Sequence, residues 1–147
     1  MRLLYVVLLL ASSSRFASYV PARTACVSFK KKSLKRPSLV DAIIYVESRG
    51  DSTAYNSREN AVGCMQIRPI AVRECNRLVG FDSFTLKDRW SVRKSIDMFN
   101  TIAAHTPNPT NEKLARNWNG GPNGHKKKST LNYWKKVKNR LCLMREH

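Results

Sequence analysis

From residue 37 onward, apolar residues recur every three or four positions, and no segment alternates convincingly between apolar and polar. That periodicity is the signature of helices packed by one face, and it leaves little room for a sheet. Pro37 suits a first helical turn; Val40, Ile43, Ile44 and Glu47 then share one face, and Gly50 is a stop signal. A second helix is expected from Pro69 to Val79, closed by Gly80. A third is expected from about Asp88, a good N-cap, through Val92, Ile96, Phe99 and Ala103. The fourth is short, covering residues 110–118, and Gly120-Gly121-Pro122 cuts it off. The fifth starts at Ser129 and carries Leu131, Trp134, Val137, Leu141 and Met144 as one stripe. No internal repeat is visible, so the reading is a mostly α domain of about five helices spanning 37–147.

The chain has 147 residues, room for one domain with a real core. Its 27 Lys and Arg against 10 Asp and Glu give a formal charge of +17, which calls for an anionic partner: nucleic acid, anionic lipid or an acidic polymer such as cell-wall glycan. None of the basic runs carries a nucleic-acid-binding motif, so no nucleic-acid partner is expected. Residues 1–14 read as an export signal, with Arg2, an apolar run from Leu3 to Ala11 and a small-residue cleavage pattern at Ala11-Ser12-Ser13. The run is far short of the ~20 residues that span a bilayer, although an uncleaved anchor is the alternative. The expected location is periplasmic or secreted. Residues 15–36, Ser-rich and then basic, read as a linker or extended arm. Four cysteines, Cys26, Cys64, Cys75 and Cys142, suit an oxidising destination, with three pairings open. Three scattered histidines (His105, His125, His147) and no Cys-x-x-Cys pair give no case for zinc, and no cofactor is expected.

The first helix poses a chemical question. Glu47 shares its face with Val40, Ile43 and Ile44, a face that should turn inward. A carboxyl group there is desolvated, its charged form is disfavoured and its pKa rises. A glutamic acid still protonated near neutral pH is what a general acid requires. For a random Glu, the better reading is a side chain that reaches past the core into solvent, so the assignment needs further residues.

Three segments in order supply them: Glu47-Ser48, Gly63-Cys64-Met65-Gln66 and Asn117-Trp118-Asn119-Gly120-Gly121. Together they resemble the Glu-Ser, Gly-Leu-Met-Gln and Ala-Tyr-Asn-Ala-Gly segments of the SLT-type lytic transglycosylases, relatives of goose-type lysozymes. The resemblance extends over roughly residues 37–141 and implies a lysozyme-like fold acting on peptidoglycan. It implies that Glu47 is the catalytic acid/base, that Met65 and Gln66 line a glycan groove, and that Trp118 and Asn119 stand on the opposite wall. Ser48 would help to hold the substrate or Glu47. Met65 and Trp118 are equally readable as core. Two departures stand out: Cys64 replaces a Leu, and Trp118 replaces a Tyr, removing a hydroxyl expected near the catalytic carboxyl. An indole N–H is the available substitute donor.

Most glycoside hydrolases use two carboxylates. Here Asp51, Glu59 and Asp97 are the candidates for a second, and none has an apolar context like that of Glu47. The resemblance implies a mechanism that needs just one: cleavage between N-acetylmuramic acid and N-acetylglucosamine with a 1,6-anhydro product. The alternatives are lysozyme-type hydrolysis, with Glu59 or Asp51 positioning water, and a cationic wall-binding or membrane-active protein without catalysis. Lys135, Lys136, Lys138 and Arg140 mostly avoid the apolar stripe of the fifth helix, so that helix should offer a basic face to anionic wall polymer or envelope surface. A monomer is expected.

Overall fold

The computed structural model describes residues 37–144. The expected export signal, the basic arm, Cys26 and His147 lie outside the described residues. Helix α1 (Pro37–Ser48) begins on its proline and ends where Arg49 and Gly50 take positive φ, 58° and 92°. Its inward residues Leu39, Val40, Ala42 and Ile43 are buried, each contributing to burial in the range of ~1.5–3 kcal/mol for the larger side chains. They face α5 (Leu131–Leu143), whose Val137 and Leu141 are buried in the same core.

Between the first two helices lies an element the periodicity does not announce. Strands β1 (Tyr55–Asn56) and β2 (Ala61–Val62) pair antiparallel, Tyr55 opposite Val62 and Asn56 opposite Ala61, and Val62 bridges on to Ile67. Two-residue strands are too short to display alternation. What holds this hairpin down is a buried cation. Arg89 donates from Nη1 to the carbonyls of Asn60 (2.8 Å) and Ile67 (3.2 Å) and from Nε to that of Leu86 (3.0 Å). Its charge is spread over carbonyl oxygens, and burial draws its pKa down.

Helix α2 (Pro69–Val79) closes on Gly80 in the left-handed region, as expected from its proline start and glycine end. The third helix begins later than Asp88. Asp88 belongs to a short 3-10 turn (Leu86–Trp90), where it accepts from the N–H (2.7 Å) and hydroxyl (2.9 Å) of Thr85 in a reciprocal capping box. Helix α3 (Val92–Ala104) is capped by Ser91 instead, whose Oγ accepts from the Lys94 N–H. Helix α4 (Asn111–Gly120) is capped by Thr110, and two 3-10 turns, Gly124–Lys126 and Lys128–Thr130, lead into α5. Ser129 sits in the second turn rather than starting the helix. On α5, Trp134 and Met144 pack at the core's edge, whereas Leu131 is exposed and leaves the expected stripe. Arg140 leaves the expected basic face, because its guanidinium stacks 3.8 Å from the centre of the Tyr45 ring.

Cys64 and Cys75 are buried free thiols and Cys142 is an exposed one; among the described residues none is bridged. Burial raises both buried thiols, Cys75 to about 11, so they act as small core residues.

Gly63 is where backbone and packing constrain the chain together. Its φ is +77°, and a Cβ there would meet the Arg89 carbonyl oxygen at 2.2 Å. Gly50 has φ +92° with open space around it. Gly63→Ala should therefore destabilise by on the order of 3 kcal/mol, and Gly50→Ala by about 1 kcal/mol. Thermal melts of the two variants side by side check this; equal losses would mean that only the backbone conformation matters at Gly63.

Candidate active site

Glu47 lies in the last turn of α1, one residue before Ser48 ends the helix. Two links fix that turn. The Ser48 hydroxyl donates to the Cys64 carbonyl at 2.9 Å, tying the helix end to the segment after the hairpin, and accepts from the Gly50 N–H at 3.2 Å. From α5, the Tyr133 hydroxyl donates to Glu47 Oε1 at 2.7 Å. Ser48 thus holds the helix end that carries Glu47.

Burial pushes the Glu47 carboxyl up to about 7, against the opposing pull of the Tyr133 hydrogen bond and of the Arg68 charge; Glu59 adds a smaller upward push. Tyr133 is itself driven well above the ordinary phenol range by burial and by the neighbouring carboxylate, so it stays a hydroxyl donor. With Oε1 accepting from that hydroxyl, the proton of the neutral carboxyl resides on Oε2. The resulting group is a protonated acid of fixed orientation near neutral pH.

Glu47 opens on a cleft of about 790 Å³. Gln66 lines one side. It adopts φ 48°, and its side-chain amide donates to the carbonyls of Gly63 (3.2 Å) and Ala54 (3.3 Å), so that the residue is locked onto the hairpin base. Opposite stand Trp118 and Asn119 near the end of α4. Trp118 is half-buried: its ring packs edge-on against Phe99 at 5.4 Å between centroids while it still lines the cleft, so core and groove roles coincide in one side chain. The Asn119 carbonyl accepts from Arg68 Nη2 at 3.4 Å, joining the two walls. Beyond them, Asn117 Oδ1 accepts from the N–H of His125 (3.0 Å) and from its Nδ1 (2.9 Å), which ties α4 to the following loop.

Met65 is not in this cleft. It is fully buried beneath it in the core, which corrects its expected place on the groove wall. The turn explains this: Gln66, at positive φ, lines the cleft, while Cys64 and Met65 before it are buried in the core. Of the other carboxylates, Glu59 lines the cleft but is exposed and paired with Arg68 at 3.7 Å. Asp51 is held below its usual range by the Thr53 hydroxyl and N–H, at 2.7 and 2.8 Å, and lies outside the cleft. Asp97 is on α3, also outside the cleft lining. No three His, Cys, Asp or Glu side chains gather to hold a metal among the described residues.

Tyr133 is the site residue that sequence reasoning missed. Trp118 removes one hydroxyl, and another tyrosine 15 positions further on supplies the contact to Glu47. A signal existed: Tyr133 stands four residues before Val137, one helical turn, so it flanks the apolar stripe of α5 and was a candidate to face α1.

A protonated carboxyl at the centre of a polar-and-aromatic cleft is suited to bind a sugar chain and protonate a bridging oxygen. Comparison with known proteins agrees at the level of family. The family model described as Transglycosylase SLT domain matches residues 27–141. Neither the curated proteins nor the solved structures contain a match. The matched span covers most of the chain and includes every element of the cleft: this chain belongs to the transglycosylase SLT domain family.

Proposed function

We propose that the protein is a lytic transglycosylase that cleaves the β-1,4 bond between N-acetylmuramic acid and N-acetylglucosamine, with Glu47 as its single acid/base. The observation that carries this reading is the carboxyl group raised to about 7, held by Tyr133, with no second carboxylate in a comparable setting among the described residues. Glu47 donates its proton to the bridging oxygen as the bond from the muramic-acid C1 breaks. The acetamido oxygen of the same sugar shields the cationic C1. The ionised Glu47 then takes the proton of the C6 hydroxyl as O6 closes on C1, forming the 1,6-anhydro ring. The acid is regenerated and no water is consumed. Gln66 offers its amide oxygen and Asn119 its side-chain amide to the glycan, and Trp118 offers an apolar edge against a ring face. An enzyme of this kind works outside the cytoplasm, in keeping with the export signal read in residues 1–14.

One feature supports hydrolysis as a second reading. Glu59 shares the cleft and is near enough to influence Glu47 electrostatically. Mass spectrometry of fragments released from purified peptidoglycan separates the two, because anhydro ends weigh one water less than reducing ends. Anhydro ends are expected, and Glu59→Gln should leave them in place. Reducing ends that vanish in Glu59→Gln would establish hydrolysis instead.

Glu47→Gln should lower turnover by at least ~10³-fold, since one group serves both proton transfers. The fold should survive, and a variant keeping a tenth of wild-type activity would end the assignment. Its stability carries a second signature. Because the folded carboxyl titrates near 7 against 4.5 for the ordinary group, the stability it contributes is full below pH 4.5 and is lost as pH rises through 7. Glu47→Gln should therefore gain on wild type by on the order of 2 kcal/mol between pH 4.5 and 8, read from melts at both values.

Tyr133→Phe removes a hydrogen bond that favours the ionised form, so the carboxyl should titrate higher still. The high-pH limb of kcat/KM, set by loss of that proton, should shift to higher pH, with kcat/KM down by about 10-fold from lost orientation. A loss of activity with an unmoved limb would make Tyr133 a packing residue only.

A further inference from the structure

Glu59 is the carboxylate that shares the cleft with Glu47 and has a choice of where to point. It lies in the connection between β1 and β2, where its N–H donates to Asn56 Oδ1 at 3.4 Å. The carbonyl of the next residue, Asn60, accepts from Arg89 at 2.8 Å. The backbone on both sides is thereby held, and the freedom that remains is in the side chain. Glu74, the third acidic residue lining the cleft, is already engaged: it accepts from Arg77 Nε at 2.8 Å and from Nη2 at 2.7 Å.

Arg68 faces Glu59 across a looser contact. Its Nη1 stands 3.7 Å from Glu59 Oε2, while Nη2 of the same guanidinium donates to the Asn119 carbonyl at 3.4 Å. The arginine is anchored at its backbone as well. Ile67 before it exchanges hydrogen bonds with Val62, at 3.2 and 2.9 Å, and Pro69 after it opens α2. A planar fork can serve two acceptors in fixed directions, so Arg68 draws the Glu59 carboxylate toward a guanidinium whose other nitrogen is tied to the opposite wall.

We propose that Arg68 determines the product of the reaction by holding the Glu59 carboxylate where it does not activate water. This role presupposes the function proposed above. Once Glu47 has given its proton to the bridging oxygen, C1 of the muramic acid is open to two nucleophiles. O6 of the same sugar closes the anhydro ring, and its proton returns to Glu47. Water attacking C1 instead forms the C1–OH bond of a reducing end and gives its proton to a carboxylate base, from which it passes to solvent; Glu47 is then reprotonated from solvent. Glu59 is the base in reach of the same cleft, and its pairing with Arg68 leaves O6 without that competitor.

The ends released from purified sacculi, told apart by the mass of one water, read this choice directly. The wild-type protein should release anhydro ends. Arg68→Gln, which removes both the charge and the fork, should raise the fraction of reducing ends by about fivefold, the most that an exposed ion pair restrains a carboxylate. Arg68→Lys restores the charge and should bring most of the anhydro product back, and Arg68→Gln with Glu59→Gln should lose the reducing ends again. Salt screens the pair, so the wild-type fraction of reducing ends should also rise between about 0.05 and about 0.5 M salt, and stay flat in Glu59→Gln. A fraction unmoved in Arg68→Gln overturns the proposal, as does a rise that survives Glu59→Gln. If Arg68→Gln releases nothing, the salt series decides, and a flat wild-type fraction there overturns it. Reducing ends as the main wild-type product remove the catalytic reading and this role together, whereas anhydro ends from every variant keep the reading and remove the role.

Discussion

The site depends on a hydrogen bond between the first helix and the last. Tyr133 and Glu47 are 86 residues apart, and their 2.7 Å contact joins the first helix to the last. A carboxyl group cannot enter an apolar interface cheaply. It must either shed its charge or acquire donors, and each route costs about 1.4 kcal/mol for every tenfold change in its ionisation. Glu47 takes a compromise. Burial favours the neutral acid, the Tyr133 hydroxyl and the Arg68 charge favour the anion, and the balance falls at about 7. Burial alone would have made an acid too weak to give up its proton, and exposure would have made it a permanent anion. Tyr133 belongs to α5 and Glu47 to α1, so the packing of these two helices enters that balance directly.

The helix end itself is positioned by polar links of unequal kinds. Ser48 ties α1 to the Cys64 carbonyl, and Arg89 holds the hairpin segment through the carbonyls of Asn60 and Ile67. Gly63 lets those two anchors approach, because its missing side chain leaves room for the Arg89 backbone. The hairpin in turn locks Gln66 in a conformation with φ 48° facing the cleft. A buried guanidinium satisfied by carbonyls is costly to assemble, yet it fixes a loop that has little apolar area of its own. Rigidity of this wall serves a binding cleft, where each sugar-facing amide must be in place before the ligand arrives.

Much of this was legible in the residues. The helices α1 and α2 could be read with their ends, because Pro37 and Pro69 start them and Gly50 and Gly80 close them. Glu47 could be singled out because a helical face of Val40, Ile43 and Ile44 leads straight to it. The misreadings share a cause, which is that two local signals competed. Asp88 is a sound N-cap, but it caps the 3-10 turn beside Thr85 rather than α3. Met65 directly precedes the groove-facing Gln66, yet the turn aims it into the core. Leu131 fits the α5 stripe by spacing and remains exposed at the first residue of the helix. Tyr133 was missed for a different reason. Its spacing to Val137 places it beside the α5 stripe, but periodicity does not say which carboxyl group, 86 residues away, its hydroxyl meets.

The substitution of Trp118 for a tyrosine shows how such a site tolerates change. An indole in that place loses a hydroxyl but gains area, and the structure uses the area twice, against Phe99 and along the cleft. The hydroxyl at Glu47 comes from α5, so the wall residue is released from supporting the acid and is left with stacking and packing. Two duties that one side chain might have shared are divided between two helices. That division has a consequence for the pH response. Tyr133 touches the Glu47 carboxyl directly and acts on its proton, whereas Trp118 lines the same cleft and packs against Phe99.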